Sequence, residues 1–231
     1  MNDLNINWKD FYKNVFSLVV PMALQNLINV GVTAADVVML GKVSEKVLSG
    51  ASLAGQIQYI MVLFLFGLTS GATVLTAQYW GKGDKTTIEK ILALGIRSAV
   101  IVTAIFTVAA FAIPASLMRI FTNDPQVIAE GVKYLRIVAC SYIIMGITNV
   151  YLYVMRSIER VIVATVVYLV SFLCNVIFNA IFIFGLFGFP ALGIRGAAIA
   201  TLIARIVELI LVCGYAKIYN KDVKFRVHYF L

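Results

Sequence analysis

Six apolar stretches, at residues 15–40, 56–80, 91–113, 132–155, 161–189 and 196–218, dominate the chain and are each long enough to cross a bilayer. A helix rises about 1.5 Å per residue and the hydrocarbon core is about 30 Å thick, so about 20 apolar residues make one crossing. Lipid offers no water to backbone N–H and C=O groups, which leaves helices and closed barrels as the only spanning structures. Barrel strands alternate apolar and polar residues over about 10 positions. These runs are instead continuous in Leu, Ile, Val and Phe. The expected fold class is therefore all-α, a polytopic membrane protein built as a six-transmembrane-helix bundle. Hydrophobic residues make up 61% of the chain and charged residues 13%, against roughly 45–50% and about 25% in soluble domains. A water-soluble fold could not hide that much apolar surface. Turn-formers mark the gaps: Trp80-Gly81-Lys82-Gly83-Asp84, Thr122-Asn123-Asp124-Pro125 and Gly188-Phe189-Pro190-Ala191-Leu192-Gly193.

The net charge of +8 is carried between the runs rather than along one polar face, which excludes a nucleic-acid surface and points to membrane lipid headgroups. Lys9, Lys13, Lys82, Lys85, Lys90, Arg156, Arg160, Lys217, Lys221, Lys224 and Arg226 fall on one side, against Lys42, Lys46, Arg119 and Arg195 on the other. The positive-inside rule then places both termini in the cytoplasm of a multi-pass plasma-membrane protein. Residues 1–14 read as a cytoplasmic amino-terminal segment, 15–218 as the membrane lobe and 219–231 as a basic, aromatic cytoplasmic connector. Trp8, Phe11, Tyr12, Tyr79, Trp80 and Tyr219 suit the interfacial belt. Cys140, Cys174 and Cys213 lie inside apolar runs and read as small packing residues, without disulfide or metal spacing. No nucleophile–base pair, phosphate loop or dinucleotide fingerprint occurs, so neither an enzyme, nor an ATP-driven pump, nor a cofactor is expected.

The informative residues are the polar ones inside the runs. Asp36 lies among Ala34, Ala35, Val37 and Val38, where an isolated carboxylate costs several kcal/mol and marks a functional position by default, the alternatives being a structural, hydrogen-bonded Asp or one near the outer interface. Asn175 and Asn179, four apart, share one helix face. Their amide oxygens could ligate a hard cation or make ordinary interhelical hydrogen bonds, and spacing alone leaves both open. Thr201, four residues after Ala197, adds a hydroxyl and a candidate freed backbone carbonyl. Pro21 interrupts the first run, so a kink is expected there. Arg205 and Glu208, three apart, read as a structural pair, and Glu130, Lys133 and Arg136 as an interfacial cluster.

Four segments together resemble the multidrug and toxic compound extrusion family, MATE: Pro21-Met22-Ala23-Leu24-Gln25-Asn26, Asp36-Val37-Val38-Met39-Leu40-Gly41, Thr76-Ala77-Gln78-Tyr79-Trp80-Gly81-Lys82-Gly83-Asp84 and Leu192-Gly193-Ile194-Arg195-Gly196-Ala197-Ala198-Ile199-Ala200-Thr201. The resemblance implies one lobe, the amino-terminal one, of a twelve-helix transporter with two pseudo-symmetric halves. It implies secondary active efflux of cationic or aromatic compounds by antiport against protons or sodium ions. It implies a cation site at Asp36, Asn175, Asn179 and Thr201, with Tyr134 as hydrogen-bonding neighbour and Ala197 as backbone candidate. The same residues would be the sodium ligands if sodium couples transport. Pro21 becomes the hinge. Asn29, Gln56, Met145 and Asn149 are the expected substrate-cavity residues, as polar and soft groups suited to promiscuous binding. The expected partner is a second six-helix lobe, either a missing carboxy-terminal half or a second copy, with the tail reading as an interrupted linker.

Two rival functions are a lipid-precursor flippase of the wider superfamily, which basic cavity residues would mark and of which the spans contain few, and a non-transporting membrane assembly module. A channel is disfavoured because no pore-lining ring of charge or carbonyls repeats. The charge asymmetry is testable directly: cysteine labelling at residue 220 should occur only from the cytoplasmic side, and labelling from outside overturns the orientation.

Overall fold

The computed structural model describes residues 8–220 and residue 223. Tail residues Lys221, Lys224, Arg226 and His228, and the start of the amino-terminal segment, lie outside the described residues. The described chain is helical and without strands: α1 (Trp8–Gly41), α2 (Glu45–Gly81), α3 (Lys85–Ala112), α4 (Pro114–Arg119), α5 (Pro125–Val138), α6 (Tyr142–Ser157), α7 (Val161–Phe184) and α8 (Ile194–Ile218). Helices α5 and α6 meet at a 3-10 turn, Ala139–Ser141, and together make one crossing. Six spans result, as the apolar runs require: Trp8–Gly41, Glu45–Gly81, Lys85–Ala112, Pro125–Ser157, Val161–Phe184 and Ile194–Ile218.

The boundaries differ from the apolar runs where local chemistry overrides apolarity. Helix α2 begins at Glu45, well before residue 56, because Ser44 caps it by accepting from Val47 N at 3.2 Å. Its first turns carry small residues that pack on α5. A Cβ on Gly50 would stand 2.8 Å from Gly131 N, so the two backbones touch. The fifth span ends at Phe184 rather than 189. Gly185 adopts φ 74° there and closes the helix, and a Cβ on it would meet Phe189 O at 2.7 Å. Asp84 and Asp124 cap α3 and α5. The Thr87 hydroxyl holds Asp84, and the Lys46 ammonium holds Asp124, below the usual carboxylate range.

Tyr142, Tyr151, Met61, Leu92, Leu135 and Met155 form the centre of the core. Phe16, Leu27, Phe64, Ile105 and Ile162 are exposed, as a lipid-facing exterior demands. Cys140 and Cys213 also lie on exposed faces, not in the packing. Helix α8 packs on α7, α5 and α6, whereas α1 attaches chiefly to α7 and more weakly to α2. Helix α1 runs unbroken through Pro21.

The tightest crossing should fail first. At Gly196 a Cβ would stand 2.4 Å from Phe182 O, a backbone atom that cannot swing away. Gly196→Ala should cost about 1–3 kcal/mol through overpacking and lower the midpoint of thermal unfolding in detergent. Gly71→Ala, with nothing within 4 Å, should leave the midpoint unchanged or raise it.

Candidate functional site

Helices α1, α7 and α8 bring four polar side chains into one hydrogen-bonded chain. Asn179 Nδ2 donates to an Asp36 carboxylate oxygen at 2.5 Å and to Asn175 Oδ1 at 3.1 Å. Asn175 Nδ2 donates to Thr201 Oγ1 at 3.4 Å, and Thr201 Oγ1 donates to Ala197 O at 3.0 Å. Asn175 and Asn179 are buried at 3% and 0% exposure, with Asp36 and Thr201 partly open. Asn179 Oδ1 is buried without a hydrogen-bond partner. The four-residue spacing explains the geometry, since one helical turn stacks Asn175 beneath Asn179 and puts Thr201 Oγ1 over the Ala197 carbonyl.

Asp36, Asn175 and Thr201 form part of the wall of a cavity of about 770 Å³. Asn29, Gln56, Met145, Asn149 and Tyr134 line it too, Tyr134 beside Thr201. Gln58 Nε2 contacts Met145 Sδ at 3.6 Å. Asn179, Ala197 and Pro21 stand behind the wall and not on it. Pro21 lies where α1 is tied to the start of α7: buried Gln25 donates from Nε2 to Thr165 Oγ1 at 2.8 Å and to Val161 O at 3.2 Å.

Several cavity residues carried no usable sequence signal. Tyr59, Tyr168 and Ser171 line the cavity, yet in the sequence they resemble any polar or aromatic residue of a span. Arg156 reads as a loop charge, but it too lines the cavity. The Arg205–Glu208 pair is real and deeper than the spacing implies. Glu208 is fully buried, accepting from Arg205 Nη1 and from Thr148 Oγ1 at 2.6 Å each, while Arg205 reaches the cavity. Glu130 and Lys133 pair at 2.5 Å, with Arg136 exposed. No cluster of three or more His, Cys, Asp or Glu occurs among the described residues.

The fold and this arrangement define a polytopic membrane protein with a polar chamber walled by its own helices. The MatE family profile matches residues 21–181, and the chain belongs to that family, as an amino-terminal lobe. It is 28% identical over 200 residues to a probable multidrug resistance protein NorM of Thermotoga maritima, covering 84% of this chain and 42% of that protein. Against the protein of the same description from Rhizobium meliloti the identity is 26%, over 91% of this chain and 45% of the relative. Solved MATE structures in the bent and straight conformations superpose with TM-scores of 0.85 and 0.84 at 19% identity, each over 94% of this chain and 48% of the neighbour. The chain thus spans about half the length of the relatives it matches.

The Glu208 cluster gives a stability test. Glu208→Ala strands Arg205 without its carboxylate and should cost about 3–5 kcal/mol, read as a lowered unfolding midpoint in detergent. The double replacement Arg205→Met with Glu208→Leu should recover most of that loss.

Proposed function

We propose that this lobe works in an ion-coupled antiporter that exports cationic or aromatic amphipathic compounds in exchange for protons or sodium ions. The observation that carries the reading is the hydrogen-bonded chain from Asp36 through Asn179 and Asn175 to Thr201, set in the wall of a 770 Å³ chamber. A chamber of that size suits a drug-sized guest, for which pockets of about 300–1,000 Å³ are usual. The names of the NorM relatives support a multidrug role.

The oxygens at this site are hard donors, which favour a proton or an alkali or alkaline-earth cation over a soft metal. Asp36 is the single carboxylate among them, so it balances one positive charge. A proton or sodium ion fits that balance and a divalent cation does not. The unpaired Asn179 Oδ1 is an acceptor that a bound cation would engage. Charge neutralisation at Asp36 weakens its grip on Asn179, and so loosens α1 from α7 on the side away from Pro21. Pro21 lacks the N–H that would stiffen α1 against that change, which makes it the hinge.

In this reading residues 15–218 form the lobe and 219–231 lead toward a second six-helix lobe, with both termini in the cytoplasm. The second lobe, a carboxy-terminal half or another copy, supplies the facing wall of the chamber. A lipid-precursor flippase needs basic groups in the chamber, and Arg156 and Arg205 provide two. That rival therefore differs in substrate rather than in architecture.

Ion titration calorimetry of the chain in detergent, followed by efflux from vesicles that carry the chain together with its second lobe under separately imposed proton and sodium gradients, tests the proposal. Asp36→Asn should abolish ion binding and reduce gradient-driven efflux at least tenfold while inserting normally. Unaltered coupling in that variant removes Asp36 from the mechanism and favours the assembly-module reading.

A further inference from the structure

Three charged side chains line the cavity: Asp36, Arg156 and Arg205. Two of them are accounted for. Asp36 is held by Asn179, and Arg205 is matched by buried Glu208. Arg156 has no carboxylate partner among the described residues, and its Nε is buried without any hydrogen bond. From these observations we propose that the Arg156 end of the cavity is an oxyanion site, which takes the carboxylate or phosphate group of an amphipathic ligand whose apolar part lies along the chamber. The inference rests on reading the cavity as a binding chamber, and not on which ion is coupled to it.

The surroundings of Arg156 hold its guanidinium ready for that task. Its centre stands 4.1 Å from the ring centroid of Tyr153 and 5.9 Å from that of Tyr168, and Nη2 donates to Tyr168 Oη at 3.3 Å. Both tyrosines line the same cavity. A guanidinium packed on an aromatic ring through its face keeps its N–H donors in its own plane. One of those donors goes to Tyr168, and no other guanidinium N–H is hydrogen-bonded among the described residues. The remaining N–H groups of the planar fork suit the oxygens of a carboxylate or phosphate. Arginine remains charged at every physiological pH, so the site is positive whatever the state of Asp36.

The rest of the chamber suits the other half of such a ligand. Tyr168 and Asn175 are seven residues apart on α7, which places the two ends of the site about 10 Å from each other along the helix. Val32, Val62 and Phe172 lie among the lining residues and offer apolar contact. Arg156 lies at the Tyr168 level of the cavity and Thr201 at the Asn175 level. A purely structural role explains part of this arrangement, because Arg156 lies in the last turn of α6, where a cation complements the helix dipole. It does not explain a guanidinium without a carboxylate partner, stacked on Tyr153, among the residues that line the cavity.

The test compares dodecyl phosphate with dodecyltrimethylammonium, two probes of equal tail and opposite head, titrated into the chain in a neutral maltoside detergent. Dodecyl phosphate should bind saturably, and removal of Arg156 should weaken it at least tenfold more than it weakens the ammonium probe. Arg156→Gln should weaken phosphate binding at least tenfold, Arg156→Lys by a smaller factor because charge survives but the fork does not, and Arg97→Gln, on an exposed face of α3 away from the cavity, not at all. If Arg156→Gln does not fold, Arg156→Lys carries the comparison. An equal loss for the two probes on removal of Arg156, or wild-type phosphate affinity in either Arg156 variant, overturns the proposal. Dioleoyl phosphatidic acid in phosphatidylcholine nanodiscs distinguishes the sources: competition with dodecyl phosphate assigns a lipid headgroup, and retained probe binding without competition assigns a soluble amphipathic acid. Asp36→Asn separates this inference from the antiport reading. It should abolish ion coupling and leave phosphate binding intact, and ion coupling that depends on Asp36 without any phosphate binding defeats the oxyanion site alone.

Discussion

A carboxylate within the thickness of a membrane must be bound by something other than bulk water, and the hold of Asn179 on Asp36 answers that requirement. Much of the architecture follows from it. Helix α1 has little burial of its own, with only Gln25, Ile28 and Leu40 fully covered, and it joins the bundle chiefly through α7. Two polar clasps secure it there: Gln25 to Val161 and Thr165, and Asp36 to Asn179. Eleven residues separate the clasps on α1, roughly 16 Å along the helix. The contact between them includes Gly31 against the Phe172 ring, within 3.6–3.7 Å of where a Cβ would stand.

The two clasps differ in kind. Gln25 makes neutral hydrogen bonds whose strength does not vary with ions or pH. Asp36 makes a charge-assisted one, roughly twice as strong while the carboxylate is ionised and weaker once it is neutralised. One end of the helix is thus a fixed anchor and the other a conditional one. Pro21 lies next to the fixed anchor, one turn before Gln25, and in the proposed mechanism it is the hinge about which the remainder of α1 swings.

The spans were legible because length and continuous apolarity are enforced by the bilayer, residue by residue. Their ends were less so. Helix α2 continues through Glu45 to Gly55 because Ser44 caps it and small residues pack on α5, neither of which raises local hydropathy. The fifth run overshoots because Gly185, Leu186, Phe187 and Phe189 look apolar whether they continue a helix or leave it at a left-handed glycine. Within the site, Asn175, Asn179 and Thr201 could be read from one-turn spacing, and Asp36 from its isolation among alanines and valines. Arg156 could not. An arginine at the end of a span has the same sequence signature whether it snorkels to headgroups or turns inward, and only the positions of Tyr153 and Tyr168 decide between them.

The open side of the cavity carries the remaining step. Asn26, Asn29 and Gln56 are exposed on α1 and α2 and line the chamber, while Leu27 and Val30, their neighbours on α1, point to the opposite requirement. Unpaired amide groups facing hydrocarbon each cost on the order of 2–7 kcal/mol, a penalty no helix would carry along a whole face when alternatives are available. Leucine and valine facing lipid cost nothing. A single helix therefore presents two solvents at once, lipid on one face and water or polar protein on the other. That division is what a chamber between two bundles requires, since each lobe must be apolar outside, polar toward its counterpart, and wet enough between them for a substrate to enter.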